Sequence, residues 1–217
     1  MSRLRLAVFL LLFSACLPLQ AEELHAALYF QRDEMTLRSG AADVDTRVGR
    51  IGFTLTSRYS DYLEGSLEIA HASVTQDGNP ATQGMNPAGE FFGVALRAWP
   101  LRSEYLDLWL GADYGLLTVS GSNNGQSTEL DWDDAGVSAG LVLHAGRIDL
   151  LAGARHADLR GDEVASGTLS YTRSLKLEDK TTYWGGADFY VDKTGTIGVL
   201  AYGGGRDGFM LRFARSF

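Results

Sequence analysis

Cysteine is nearly absent from this 217-residue chain. Its single copy, Cys16, lies in an N-terminal leader, so disulfide chemistry is excluded once that leader is removed. Histidine is scarce as well; four copies and no cysteine beyond residue 16 leave no ligand set for a transition metal, and no cofactor is expected. Proline occurs four times, at Pro18, Pro80, Pro87 and Pro100. These positions fall in the leader, in one loop and at one turn, so proline is kept out of segments in which every N–H must be paired. Basic residues are outnumbered, 19 Lys and Arg against 27 Asp and Glu for a formal charge of −8, which gives no electrostatic footprint for nucleic acid. Long apolar runs are missing. The longest, 6–13, is about half of the ~20 residues that a helix needs to cross a bilayer.

That run follows Arg3 and Arg5 and precedes a polar stretch closing on Leu19, Gln20 and Ala21, which is the order of a secretory signal peptide. Cleavage after Ala21 gives a signal peptide of residues 1–21 and one domain of residues 22–217. Phe13-Ser14-Ala15-Cys16 is similar to a lipoprotein processing box, with Phe13 where leucine is usual, and lipidation of Cys16 is the rival reading.

Two-residue alternation fills the remainder, and neither a heptad nor a long helical stripe interrupts it. Ile51, Phe53 and Leu55 alternate with Arg50, Gly52, Thr54 and Arg58; Leu63, Leu67 and Ile69 with Glu64, Ser66 and Glu68. Phe92, Val94 and Leu96 oppose Gly93, Ala95 and Arg97, while Leu106, Leu108 and Leu110 oppose Asp107, Trp109 and Asp113. Val137, Leu141 and Leu143 face away from Ser138, Gly140 and His144, as do Ile148, Leu150 and Ala152 from Asp149, Gly153 and Arg155. One face is nearly continuous hydrocarbon. The other is glycine, alanine, serine and threonine with single charges, which suits a narrow polar lumen. Short connections at 60–61, 100–104 and 145–146 alternate with longer ones at 76–89 and 120–134, and Tyr59, Tyr62, Trp99 and Tyr105 gather at the short-turn ends as an aromatic girdle would.

Phe209, Leu211, Phe213 and Phe217 lie on one strand face, interrupted by Arg215, whose long side chain can snorkel. This resembles the closing strand of bacterial outer-membrane β-barrels. The resemblance implies an all-β, antiparallel transmembrane barrel in the outer membrane, with lipid and lipopolysaccharide around it and a C-terminal strand read by the barrel assembly machinery. Eleven alternating segments must reduce to an even number of spans. Taking 158–180 as one outer excursion gives ten strands, with eight as the alternative.

Facing inward positions across the short turns pairs Arg58 with Glu64, Arg97 with Asp107, and His144 with Asp149; Arg50, Glu68, Asp113, Arg155, Asp188 and Arg212 also read as inward. Such charges either filter solutes, as in a narrow porin-like channel, or fill a small lumen and close it, and the filled reading is preferred. His71-Ala72-Ser73 is similar to the His-x-Ser arrangement of outer-membrane lipid deacylases and phospholipases. Val74 stands where those families commonly have Asn, and no acid is assignable to orient His71, so the expectation is a non-enzyme. The glycines 203–205 and Gly195 read as turn residues, and Glu129, Asp131, Asp133 and Asp134 as a solvated acidic loop that holds no metal.

Overall fold

The computed structural model describes residues 23–217, so the signal peptide, its cleavage after Ala21 and Cys16 lie outside the described residues. Eleven strands follow in order: β1 (Glu23–Ser39), β2 (Ala42–Ser60), β3 (Leu63–Asp77), β4 (Ala88–Leu101), β5 (Leu106–Asn123), β6 (Gln126–Ala145), β7 (Ile148–Ser166), β8 (Tyr171–Leu177), β9 (Thr181–Tyr190), β10 (Gly195–Gly204) and β11 (Asp207–Ser216). All pairings are antiparallel. Strands β1 to β7 pair in sequence, β9 follows β7, and β10 and β11 return the sheet to β1, which closes a ring of ten.

The stretch 158–180 does form a hairpin beyond the ten-stranded ring, but it is built into the wall and does not stand apart from it. Strand β8 pairs with the far part of β7 (Arg160↔Lys176 to Ala165↔Tyr171), and β9 pairs with its near part (Ile148↔Phe189 to His156↔Thr181). Residues 171–190 are therefore a single course along β7, with one extra residue accommodated at 178–180, as in a β-bulge. On its other side this course changes partner. Its near part holds β10, whereas its far part reaches β1 through Leu37↔Leu177 and Ser39↔Leu175. The β10–β11 hairpin is a wedge that ends at residues 204–207, and beyond it the wall contracts from ten strands to eight.

The end at which β1 starts and β11 finishes is called lower, and the other end upper. Strands β1, β2, β5, β6 and β7 hold 17–20 residues, or roughly 60 Å of extended chain. A tilted strand crosses an apolar band of about 25 Å in roughly 9–11 residues, so about half of that length lies outside it. The sequence solves this by exchanging polarity between the two faces without changing phase. Along β1, Leu28 and Phe30 point outward and are exposed, followed on the same face by Arg32, Glu34 and Arg38; the inward face runs from Tyr29, Gln31 and Asp33 to Met35 and Leu37. Strand β2 repeats it, with Ile51 and Phe53 outward below Arg47, Asp45 and Asp43, and Arg50 inward below Val48 and Val44. The lower half is thus apolar outside and polar inside; the upper half is charged outside, with an apolar layer inside and above it a buried polar cluster of Ser39, Gln76, Asn79, Thr128 and Glu163.

The interior of the upper half is a hydrocarbon core of Leu37, Val48, Val74, Leu117, Val119, Leu130, Trp132, Leu159, Leu175 and Leu177. Eight strands leave an interior that side chains alone can fill, and each of these groups stabilises the head by about 1.5–3 kcal/mol relative to exposure. The longer connection expected at 76–89 exists as the loop 78–87, but it folds inward over this core: Ala81 is fully buried and its carbonyl accepts from Thr128 Oγ1 at 2.7 Å. The loop expected at 120–134 is absent. Strands β5 and β6 run on to a two-residue turn, Asn124-Gly125, whose positive φ angles of 49° and 78° match the tight hairpin turn that Asn-Gly favours.

Candidate functional site: the lumen

Inward-facing charge in the ten-stranded half falls into two layers. In the upper layer, Arg50 on β2 reaches Asp33 on β1 at 2.9 Å and Glu68 on β3 at 3.5 Å, and Tyr29 donates its hydroxyl to Glu68. Gln31 donates to Asp33 at 2.9 Å, and the Arg50 guanidinium lies 4.5 Å over the Phe91 ring. Across the lumen, Arg155 on β7 donates through Nε to Asp113 at 3.0 Å and lies 3.2 Å from Asp134, which also binds Arg206 at 2.5 Å. Arg212 and Asp188 form a further pair, Nε to Oδ1 at 3.0 Å. The bidentate geometry and short contacts fix these guanidinium groups.

The lower layer is looser. Glu64 is shared by Arg97 at 3.5 Å and Arg102 at 3.6 Å, Arg58 binds Glu23 at 2.6 Å, and His144 lies between Asp149 at 2.8 Å and Asp107 at 3.3 Å. Tyr190 donates to Asp149 at 2.7 Å. Trp109 stacks on Trp184 with ring centroids 5.8 Å apart and carries Arg97 on its other side at 4.6 Å, while Arg102 lies 4.4 Å over Trp99. At the seam, His25 meets Ser216 at 2.8 Å across the β1–β11 pair. Both layers line one cavity of 590 Å³ that ends beneath the apolar core.

The inward positions read from alternation, Arg50, Glu68, Asp113, Arg155, Asp188 and Arg212, all line this cavity. Of the three turn pairs, His144–Asp149 is in contact. Arg58 and Glu64 face each other in register, yet each is bound to another partner, Glu23 for Arg58 and Arg97 and Arg102 for Glu64. The Arg97–Asp107 pairing is incorrect. The register shifts between Ala98 and Leu101, so Arg97 faces Gly111 and Asp107 turns to His144 and to the backbone of Ser103. Trp99 likewise lines the lumen instead of the girdle, whereas Tyr62 and Tyr105 are exposed. The acidic run lies in strand β6, not in a loop: Glu129 and Asp131 point outward, and Asp134, in phase with Ser138, points into the lumen. Asp33, Arg102 and Arg206 escaped the sequence reading; Asp33 shares its phase with Tyr29 and Gln31, a signal that the alternation of β1 carried.

His71 and Ser73 are exposed on the outer face of β3, and neither makes a side-chain hydrogen bond or ion pair with the described residues. No group of three metal-ligating side chains occurs among the described residues. Phe209, Leu211, Phe213 and Phe217 are exposed outward, and β11 closes on β1 through Phe209↔Arg32, Leu211↔Phe30 and Phe213↔Leu28.

No family model matches the chain, and no curated protein matches it in sequence. Solved structures do match in fold. The translocator domain of autotransporter NalP from Neisseria meningitidis aligns at 11% identity over 98% of this chain and 94% of that one, with a TM-score of 0.54. Outer membrane protease OmpT from Escherichia coli aligns at 10% identity over 91% and 95%, with a TM-score of 0.53. With its apolar lower belt and closed antiparallel ring, the chain has the fold of bacterial outer-membrane β-barrels.

Proposed function

We propose that this barrel does not conduct solutes: it carries a rigid sealed head outside the membrane, and its polar lumen is a cup open only to the periplasm. The observation that supports this most is the contraction from ten strands to eight around a dry apolar core, with loop 78–87 folded over it. A water or ion leaving the lower cavity upward would have to cross a layer of fully buried leucine and valine. The protein's role is then structural, or recognition through the charged outer surface of the head, with outer-membrane lipid and lipopolysaccharide around the belt. Its closing strand is read by the barrel assembly machinery. His71 faces Glu90 across the β3–β4 pair but bonds to neither it nor Ser73 among the described residues, and this exposed, unbonded arrangement supports a non-enzymatic role.

Residues 22–217 contain no cysteine, which permits a clean accessibility test. A membrane-impermeant thiol reagent added to intact cells should label Ser127→Cys, on the outer surface of the head, and leave Ser66→Cys, in the lower lumen, untouched. Opening access to the periplasm should then expose Ser66→Cys. Labelling of Ser66→Cys from outside intact cells would contradict the closed head.

A further inference from the structure

Both charge layers leave arginine Nε atoms without an acceptor, Arg50 and Arg206 in the upper and Arg58 and Arg102 in the lower, but they differ in how closely their guanidinium groups meet carboxylates. In the upper layer Arg50, Arg155 and Arg212 each have a carboxylate oxygen within 3.0 Å. In the lower layer Arg97 and Arg102 share the single carboxylate of Glu64 at 3.5 and 3.6 Å, beyond the 2.7–2.9 Å of a charge-assisted hydrogen bond. Three donors at this level, Arg58 Nε, Arg102 Nε and Trp99 Nε1, are shielded from solvent and have no hydrogen-bond partner among the described residues. They lie together. Arg58 faces Glu64 in register, Arg102 reaches the same carboxylate, and Arg102 stacks on Trp99. Arg102, in the turn below the wall, is made less basic first by burial and next by the like charge of Arg58. Glu23 and Glu64 bind these three arginines, and Asp61 and Asp107 also act on Arg102, so the sector is close to charge balance and what it lacks is acceptors at the right places. Buried donors without acceptors are costly, and an oxygen-rich anion would satisfy all three at once.

We propose that the β2–β4 side of the lower lumen binds an oxyanion, the carboxylate or phosphate group of a small molecule entering from the periplasmic mouth. Arg58, Arg102 and Trp99 donate to it, and Arg97 supplies charge from the Trp109 face. The cavity of 590 Å³ has room for a molecule of metabolite size beside the anionic group. This inference rests on the proposed function only in requiring that the lower mouth be open.

Isothermal titration of the full barrel in detergent with inorganic phosphate and with succinate, in a chloride background, tests it. Saturable binding of at least one probe is expected, and the tighter of the two identifies the group. Arg102→Gln should weaken that binding about tenfold, the loss of one charge-assisted donor. Trp99→Phe, which keeps the ring under Arg102 and removes only the N–H, should weaken it severalfold. Arg173→Gln, on the exposed head, should leave it unchanged. Heat-modifiable migration confirms that each variant is folded. Absence of saturable binding for both probes, or parental affinity in both Arg102→Gln and Trp99→Phe, overturns the site. If Ser66→Cys is reactive from the periplasm and no anion binds, the site alone fails; if it is unreactive from there, the open cup fails.

Discussion

Two side chains hold the most consequence per atom, Arg155 and Glu163. Arg155 compensates both Asp113 and Asp134 in the upper charge layer of the lumen. Arg155→Ala leaves Asp113 without it and Asp134 with Arg206 alone, and should cost on the order of 3–5 kcal/mol. The measurement is the temperature at which the folded, heat-modifiable band is lost in mild detergent, and an unchanged temperature would refute the assignment. Glu163 is fully buried in the head, where it accepts from Ser39 Oγ at 2.7 Å, Asn79 Nδ2 at 2.7 Å and Tyr171 OH at 2.9 Å. It ties loop 78–87 to strands β1, β7 and β8. Glu163→Ala should loosen the cap by about 1–3 kcal/mol for each donor left unpaired, read as faster hydrogen exchange in residues 78–87. Burial, and then the bond to Glu163, lift the Tyr171 hydroxyl to about 12. A folded value above the unfolded one means that its contribution is complete below the ordinary tyrosine range and is lost as pH rises through about 12. Protease resistance of the head should fall over that window in the parent, and the fall should be smaller in Tyr171→Phe. At this scale the sequence was legible wherever strict alternation fixed the direction of a side chain, as for Arg50, Asp113 and Arg212. It was not legible where a side chain chose among several reachable partners, as Glu64 and Arg58 did.

The elements themselves were legible from phase, and were missed where phase was read too locally. Ten spans follow from alternation and even parity, and the ring has ten. The bulge at 178–180 is also written in the sequence, because the inward positions are odd at Leu175 and Leu177 and even at Thr182 and Trp184. Treating 158–180 as an excursion hid that shift, since charged outward residues such as Asp158, Arg160 and Lys176 do not look like a lipid-facing wall. They lie on the outer face of the eight-stranded half. The same bias turned Glu129, Asp131 and Asp133 into a loop, although Asn124-Gly125 marks the hairpin. Close packing in the head gives an element-level test. A Cβ added at Gly161 would stand 2.1 Å from the Asp131 carbonyl oxygen, so β6 and β7 cannot keep their register there if it is replaced. Gly161→Ala should open the head to protease while the lower ring keeps its heat-modifiable band. Simultaneous loss of both would mean that head and belt are one cooperative unit.

For the whole molecule, the exchange of polarity between faces divides one continuous sheet into a belt that is apolar outside with a polar-lined cavity, and a head that is charged outside with an apolar layer across its interior. The sequence reading expected closure and attributed it to ion pairs at the short turns. In the function proposed here the seal lies elsewhere, in the hydrocarbon of the eight-stranded half, because ten strands leave a cavity that charged side chains do not fill. Removing a lower-layer charge should therefore not open a path, whereas removing the cap and part of the core should. Single-channel recording in planar bilayers is the most direct measurement, comparing the parent, Arg97→Ala, and a variant with loop 78–87 shortened and Leu37 and Leu130 replaced by serine. Silence in the parent and in Arg97→Ala, with current steps only in the head variant, is the predicted result; large, steady conductance in the parent would contradict the sealed barrel.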